Sequence, residues 1–351
     1  MSPIALQSDA RLRDGYDPPA DEIHPPAGSI APVRHELVVR GLPWFALLAT
    51  AILGFVAHDF TRTWDTVPFI LSFVFFGMPH GAMDWVVNQR MRRAAGLRTG
   101  LPGFAWYLGW MAVSAIALVL APVPTVLAFF VLTVVHWGLG DLEATTDRPL
   151  TTFDRASAIS GRGLLILGSA FAFDPAAAWN PFAMLVGDAS MTATDIQVAR
   201  LAGVLALAIG SIATMIRAGK AWSAGNGFSI LPDLGESLLI VLAIGLANPL
   251  FGIGVYFLFA HSYRHSLRLA STPEALSSDP KGSSLARRLV LVHLLSIPLL
   301  LPTLVILLAW CRIQFGNLDP ASLTVTMIGF FIVTTLPHHM LGRRLPRQAT
   351  A

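Results

Sequence analysis

Apolar residues recur along the chain in long runs, broken by short polar or Pro/Gly-containing stretches. The pattern predicts ten membrane spans, near 43–57, 67–88, 101–121, 123–139, 156–173, 198–217, 234–247, 249–265, 285–311 and 322–340. Crossing a hydrocarbon core about 30 Å thick takes about 20 residues, so several runs are short. The seventh and eighth meet at Asn248-Pro249, where one broken helix is an alternative to two. The expected architecture is an all-α polytopic bundle of eight to ten transmembrane helices. No soluble domain or internal repeat is visible.

Composition supports this reading. Of 351 residues, 54% are hydrophobic and only 13% charged. A soluble domain carries about 25% charged residues. A chain this apolar could not cover its own surface in water. That excludes a soluble dinucleotide-binding enzyme, a nucleic-acid-binding domain and a secreted disulfide scaffold. Cys311 is the one cysteine, so no internal disulfide can form. Residues 1–40 carry Asp9, Arg11, Arg13, Asp14, Asp17, Asp21, Glu22 and six prolines, without an early apolar run. They are expected to be a disordered cytoplasmic tail rather than a signal peptide. Residues 41–342 then form the transmembrane unit, and 343–351 a basic C-terminal tail.

Charge orients the spans. With the N-terminus in the cytoplasm and ten crossings, 21 of the 24 Lys and Arg fall on the cytoplasmic side. Arg62, Arg200 and Arg312 are left outside. Basic residues concentrate in cytoplasmic loops of membrane proteins, which also explains the net charge of +3 without a nucleic-acid partner. The expected location is the inner (plasma) membrane, with both termini cytoplasmic.

Ten histidines occur. His24 and His35 lie in the tail, and His58 follows the first run. His80, His136, His261, His265, His293, His338 and His339 lie in or at the ends of apolar runs. Ionisable groups at membrane depth are costly and mark sites or bundle-interior partners. In the ten-span topology His80, His136, His261, His265, His338 and His339 all come to the cytoplasmic ends of descending helices. In His261-Ser262-Tyr263-Arg264-His265 the spacing of four puts two imidazoles on one helix face, which suits joint metal ligation. With His80 and His136 they make a plausible four-nitrogen site near the cytoplasmic side. Imidazole suits zinc, copper, iron and nickel. Asp84 and Asp141 follow His80 and His136 closely, and either could orient a ligand or simply cap or pair with an arginine. Pro79 and Pro337, each just before a histidine, free a carbonyl one turn earlier. His293 has no motif around it and reads as a packing residue.

At these residues the chain resembles the Brp/Blh-type β-carotene 15,15′-dioxygenases, the bacteriorhodopsin-related protein family. The resemblance is carried by Pro79-His80-Gly81-Ala82 with Asp84, by His136-Trp137-Gly138 with Asp141, and by His261-Ser262-Tyr263-Arg264-His265, across about residues 67–340. It implies a non-haem iron enzyme with one Fe2+ per chain, held by His80, His136, His261 and His265. It implies O2 as co-substrate, and cleavage of β-carotene at its central double bond into two molecules of all-trans-retinal. Asp84, Asp141, His338 and His339 are candidates for the surrounding shell. β-Carotene would come from membrane lipid, and an opsin could receive the retinal.

Two other readings use the same residues. Membrane di-iron desaturases and hydroxylases also gather histidines, but in repeated HxxxH and HxxHH boxes, and this chain has one HxxxH. A non-enzymatic carotenoid- or retinal-binding protein, or a metal or proton transporter, would need the pocket or the imidazoles without the cleavage.

Overall fold

The computed structural model describes residues 37–146, 150–187, 191–271 and 284–344. All regular structure among them is helical. Helix α1 is Leu37–Val56, followed by the single-turn α2 (His58–Thr63). Next come α3 (Val67–Ala94), α4 (Gly100–Leu120), α5 (Pro122–Thr145) and α6 (Thr152–Phe173). A short α7 (Pro175–Val186) precedes α8 (Ala193–Ser223) and α9 (Gly227–Leu246). The helical stretch 249–271 is α10; α11 (Leu285–Phe315) and α12 (Pro320–Gly342) complete the bundle. Nine of these helices are long and apolar enough to cross a membrane. Each of the ten apolar runs falls in its own helix, counting α10 beside those nine.

Local chemistry sets the boundaries. Asn248 Oδ1 accepts from the N–H groups of Leu250 and Phe251, and Pro249 occupies the first helical position of α10. A Cβ on Gly252 would meet Ala243 and Ile244 of α9. Residues eight apart in a continuous helix stand about 12 Å apart. Helices α9 and α10 are therefore two rods folded back on each other, which removes the single broken helix as an alternative. Capping boxes start α6 (Thr151 with Asp154) and α8 (Thr192 with Asp195).

Helix α10 sits at the centre. Most of its residues are buried, and it packs on α1, α3, α5, α9 and α11. Helices α8 and α11 are peripheral and present belts of exposed apolar residues, such as Val198, Leu201 and Ile209 on α8 and Leu301, Val305 and Ile306 on α11. Lipid would cover these faces.

Burial weakens the charge count as a guide to orientation. Arg40, Arg162 and Arg264, counted on the cytoplasmic side, are all buried. Arg264 forks onto Glu236, with Nη1 2.7 Å from Oε1 and Nη2 2.7 Å from Oε2. Arg162 pairs with the same carboxylate. Arg40 pairs with Asp233 at 2.9 Å, as does Arg217. These cations are held by buried carboxylates, which such burial requires, so they do not report which side a loop faces. Helix α1 also begins at Leu37, inside the segment expected to be tail. Residues 1–36, with His24 and His35, and residues 345–351 lie outside the described residues.

Candidate functional site

Four helices bring histidines together: His80 from α3, His136 from α5, His261 and His265 from α10, and His338 and His339 from α12. Ring centroids are 4.9 Å apart for His80 and His265, and 4.8 Å for His136 and His261. His338 lies 5.1 Å from His80, 5.3 Å from His136 and 5.2 Å from His265. His80, His136, His261, His265 and His338 are all buried.

The helices are shaped for this. Helix α3 widens into a π turn at Phe73–Gly77, just before Pro79-His80, and α10 does so at Phe257–Ser262, which includes His261. Such turns commonly mark functional positions, because they re-aim side chains and loosen backbone hydrogen bonds. Pro79 has no N–H for the Phe75 carbonyl one turn earlier. His293 of α11 takes that carbonyl, with Nε2 at 2.7 Å, while its Nδ1 reaches Leu289 O at 2.8 Å. The next carbonyl, Phe76 O, receives His80 Nδ1 at 2.7 Å. His293, expected only to pack, thus braces the turn that carries His80. Gly140 gives room on the other side: a Cβ there would stand 3.2 Å from His261 Cε1.

The cavity-facing rings share one arrangement, with Nδ1 turned to a supporting group. For His80 the support is the Phe76 carbonyl. For His136 it is His339 Nδ1 at 3.3 Å. For His261 it is Asp141 Oδ1 at 3.7 Å, and both atoms are otherwise unpartnered among the described residues. For His338 it is Asp84 Oδ2 at 2.7 Å, and the same oxygen accepts Tyr107 OH at 2.8 Å. Two expected pairings therefore change. Asp84 orients His338 and not His80, and Asp141 faces His261 and not His136. Asp141 also accepts Tyr256 OH at 2.9 Å and pairs with Arg162 at 3.2 Å, so it orients an imidazole and binds arginine at once.

These supports leave Nε2 atoms facing one another. His136 Nε2 and His261 Nε2 are 3.2 Å apart. Two nitrogens bound to one ion at about 2.1 Å, with an angle of 90–110°, stand about 3.0–3.4 Å apart. A ring centroid lies about 1.1 Å behind its nitrogen, so rings sharing an ion stand about 4.5–5.2 Å apart when adjacent and about 6.4 Å when opposed. The shorter distances are close to the adjacent range; His261 stands 6.3 Å from His80 and 6.2 Å from His265, and since one ligand cannot oppose two others, His261 would have to move inward to share an ion with both. Among the described residues no group of three or more His, Cys, Asp or Glu side chains is placed so that it could hold a metal ion as it stands. The donor chemistry and ring spacing nevertheless fit an imidazole-bound transition metal, with a small inward closure.

A cavity extends from His80, His136, His261 and His338 into the bundle, walled by Phe69, Phe130, Phe257, Phe330 and Phe331. The short α7, too brief to register as a span, supplies Ala178, Pro181 and Phe182. Trp137 also lines it, 5.9 Å from the His261 ring. Leu108 of α4 and Leu299 of α11 also line it and are 43% and 42% exposed. Trp85 packs on Phe104 instead.

The fold and site define a helical bundle of membrane-spanning character with an apolar chamber ending on buried imidazoles. A family model described as β-carotene 15,15′-dioxygenase matches residues 71–346, which hold all of these histidines, and the chain belongs to that family. It is 31% identical over 248 residues, 65% of this chain and 68% of the relative, to a protein named probable β-carotene 15,15′-dioxygenase Blh from Halobacterium salinarum. No solved structure matches.

Proposed function

We propose that this chain cleaves β-carotene at its central 15,15′ double bond with O2, giving two molecules of retinal, at one iron(II) held by His80, His136, His261 and His265. The observation that carries the reading is the meeting of these rings, from three separate helices, with His80, His136 and His261 at the end of an aromatic-walled cavity. Iron(II) with neutral imidazole ligands and an open position supplies O2 activation.

The chain's own residues bind, aim and exclude. The phenylalanine walls match a hydrocarbon polyene, which has no polar group to pair. Leu108 and Leu299, both exposed, admit it from the bilayer, so it never crosses water. Phe76 O, His339 and Asp141 fix which nitrogen each imidazole presents. Arg162, Arg264 and Tyr256 hold Asp141 in place. Among the described residues no carboxylate, lysine or cysteine lines the cavity, so the protein's share of the chemistry is alignment and the exclusion of water. The iron end sits on the cytoplasmic side of an inner membrane, and an opsin is a candidate acceptor for the retinal.

The test is the purified chain loaded with iron(II) and given all-trans-β-carotene in air. Retinal should form with one iron per chain. Two irons per chain would favour a di-iron oxygenase. Replacing His136 with alanine should abolish product while carotenoid binding persists; if product survives, His136 leaves the site.

A further inference from the structure

We propose that His338 supplies a fifth nitrogen to the metal site, aimed by Asp84 and, through Asp84, by Tyr107. The proposal deepens the iron reading above and rests on it.

The chain of contacts runs from α4 through α3 to α12. Tyr107 OH donates to Asp84 Oδ2 at 2.8 Å, and His338 Nδ1 meets the same oxygen at 2.7 Å. All three residues are buried. An ionised carboxylate only accepts, so the proton of a neutral His338 ring lies on Nδ1 and Nε2 presents its lone pair. A carboxylate behind a histidine is the usual support of a metal-bound imidazole.

Nε2 is itself buried, and among the described residues it has no hydrogen-bond partner. His338 lines the cavity beside His80, His136 and His261. Its ring is nearly equidistant from those of His80, His136 and His265, at 5.1, 5.3 and 5.2 Å. These distances lie at or just beyond the upper end of the spacing for rings sharing one ion at adjacent positions, about 4.5–5.2 Å. A hydrocarbon substrate offers nothing to pair with a buried nitrogen lone pair, whereas a cation does. Five imidazoles on a six-coordinate ion would still leave one position for a small co-substrate.

The test uses the full chain in detergent, loaded anaerobically with iron(II). Three things are measured: iron per chain, affinity by chelator competition, and the number of imidazoles around iron by X-ray absorption. The wild-type chain should show five imidazoles. His338→Ala should show one fewer and bind iron at least about tenfold more weakly, and Asp84→Asn should weaken binding about 10–100-fold. Tyr107→Phe should give a smaller loss in the same direction. Four imidazoles in the wild type, or unchanged affinity and spectrum in His338→Ala, would overturn the assignment while leaving the iron reading intact. Absence of stoichiometric iron from the wild-type chain would instead overturn the iron reading. If His338→Ala does not accumulate in folded form, the wild-type imidazole count decides.

Discussion

At the scale of single residues, His80, His136, His261 and His338 each turn Nδ1 to a supporting group. The tie to Asp141 is the most heavily loaded, since this carboxylate also holds Tyr256, Arg162 and, at 3.5 Å, Arg264. Asp141→Asn keeps the shape but removes the charge, and should lower iron affinity about 10–100-fold, read by chelator competition. Glu236 lies deeper in the same network and is not among the cavity-lining residues. It holds Arg162 and Arg264 and accepts the Trp44 indole N–H at 2.9 Å. Glu236→Ala would leave two buried guanidinium groups without their main partner, at a cost of about 3–5 kcal/mol. Thermal unfolding in detergent measures that loss.

At the scale of helices, backbone contact sets how near the imidazoles come. A Cβ on Gly163 of α6 would strike the Val134 carbonyl of α5, two residues before His136. Small residues at such crossings let membrane helices touch. Gly163→Leu should cost about 1–3 kcal/mol through overpacking and reduce bound iron by displacing His136. His293→Ala leaves the Phe75 carbonyl without that partner, and should cost about 1–3 kcal/mol with a loss of iron affinity through His80.

The ten apolar runs and the four motif histidines were legible in the sequence, because hydrophobic length and short motifs are local properties. The supporting contacts were not. Asp84 pairs with a ring 254 positions away, and only the packing of α3 against α12 reveals it. His293 looked isolated for the same reason: its partner carbonyl is 218 positions distant. The burial of Arg162 and Arg264 was not legible either, because a count of basic residues cannot distinguish an aqueous loop from a protein interior. Helix α10 tolerates their carboxylate partners and its own arginine because protein, not lipid, surrounds it.

At the scale of the whole molecule, peripheral α8 and α11 face outward with apolar side chains while α10 carries polar chemistry at the core. The cavity joins the two, from Leu108 and Leu299 to the histidines. Leu299→Trp should narrow that end, raising KM for a carotenoid severalfold without changing iron content. Removing iron with a chelator should end cleavage, and returning iron(II) should restore it. In the proposed function, helices meeting at shared imidazoles hold the iron that cleaves a carotenoid. The decisive experiment is product analysis of the purified, iron(II)-loaded chain with all-trans-β-carotene and O2. Two molecules of retinal should form for each carotene consumed. Carotene left intact by fully iron-loaded protein, or cut into fragments of unequal length, would contradict it.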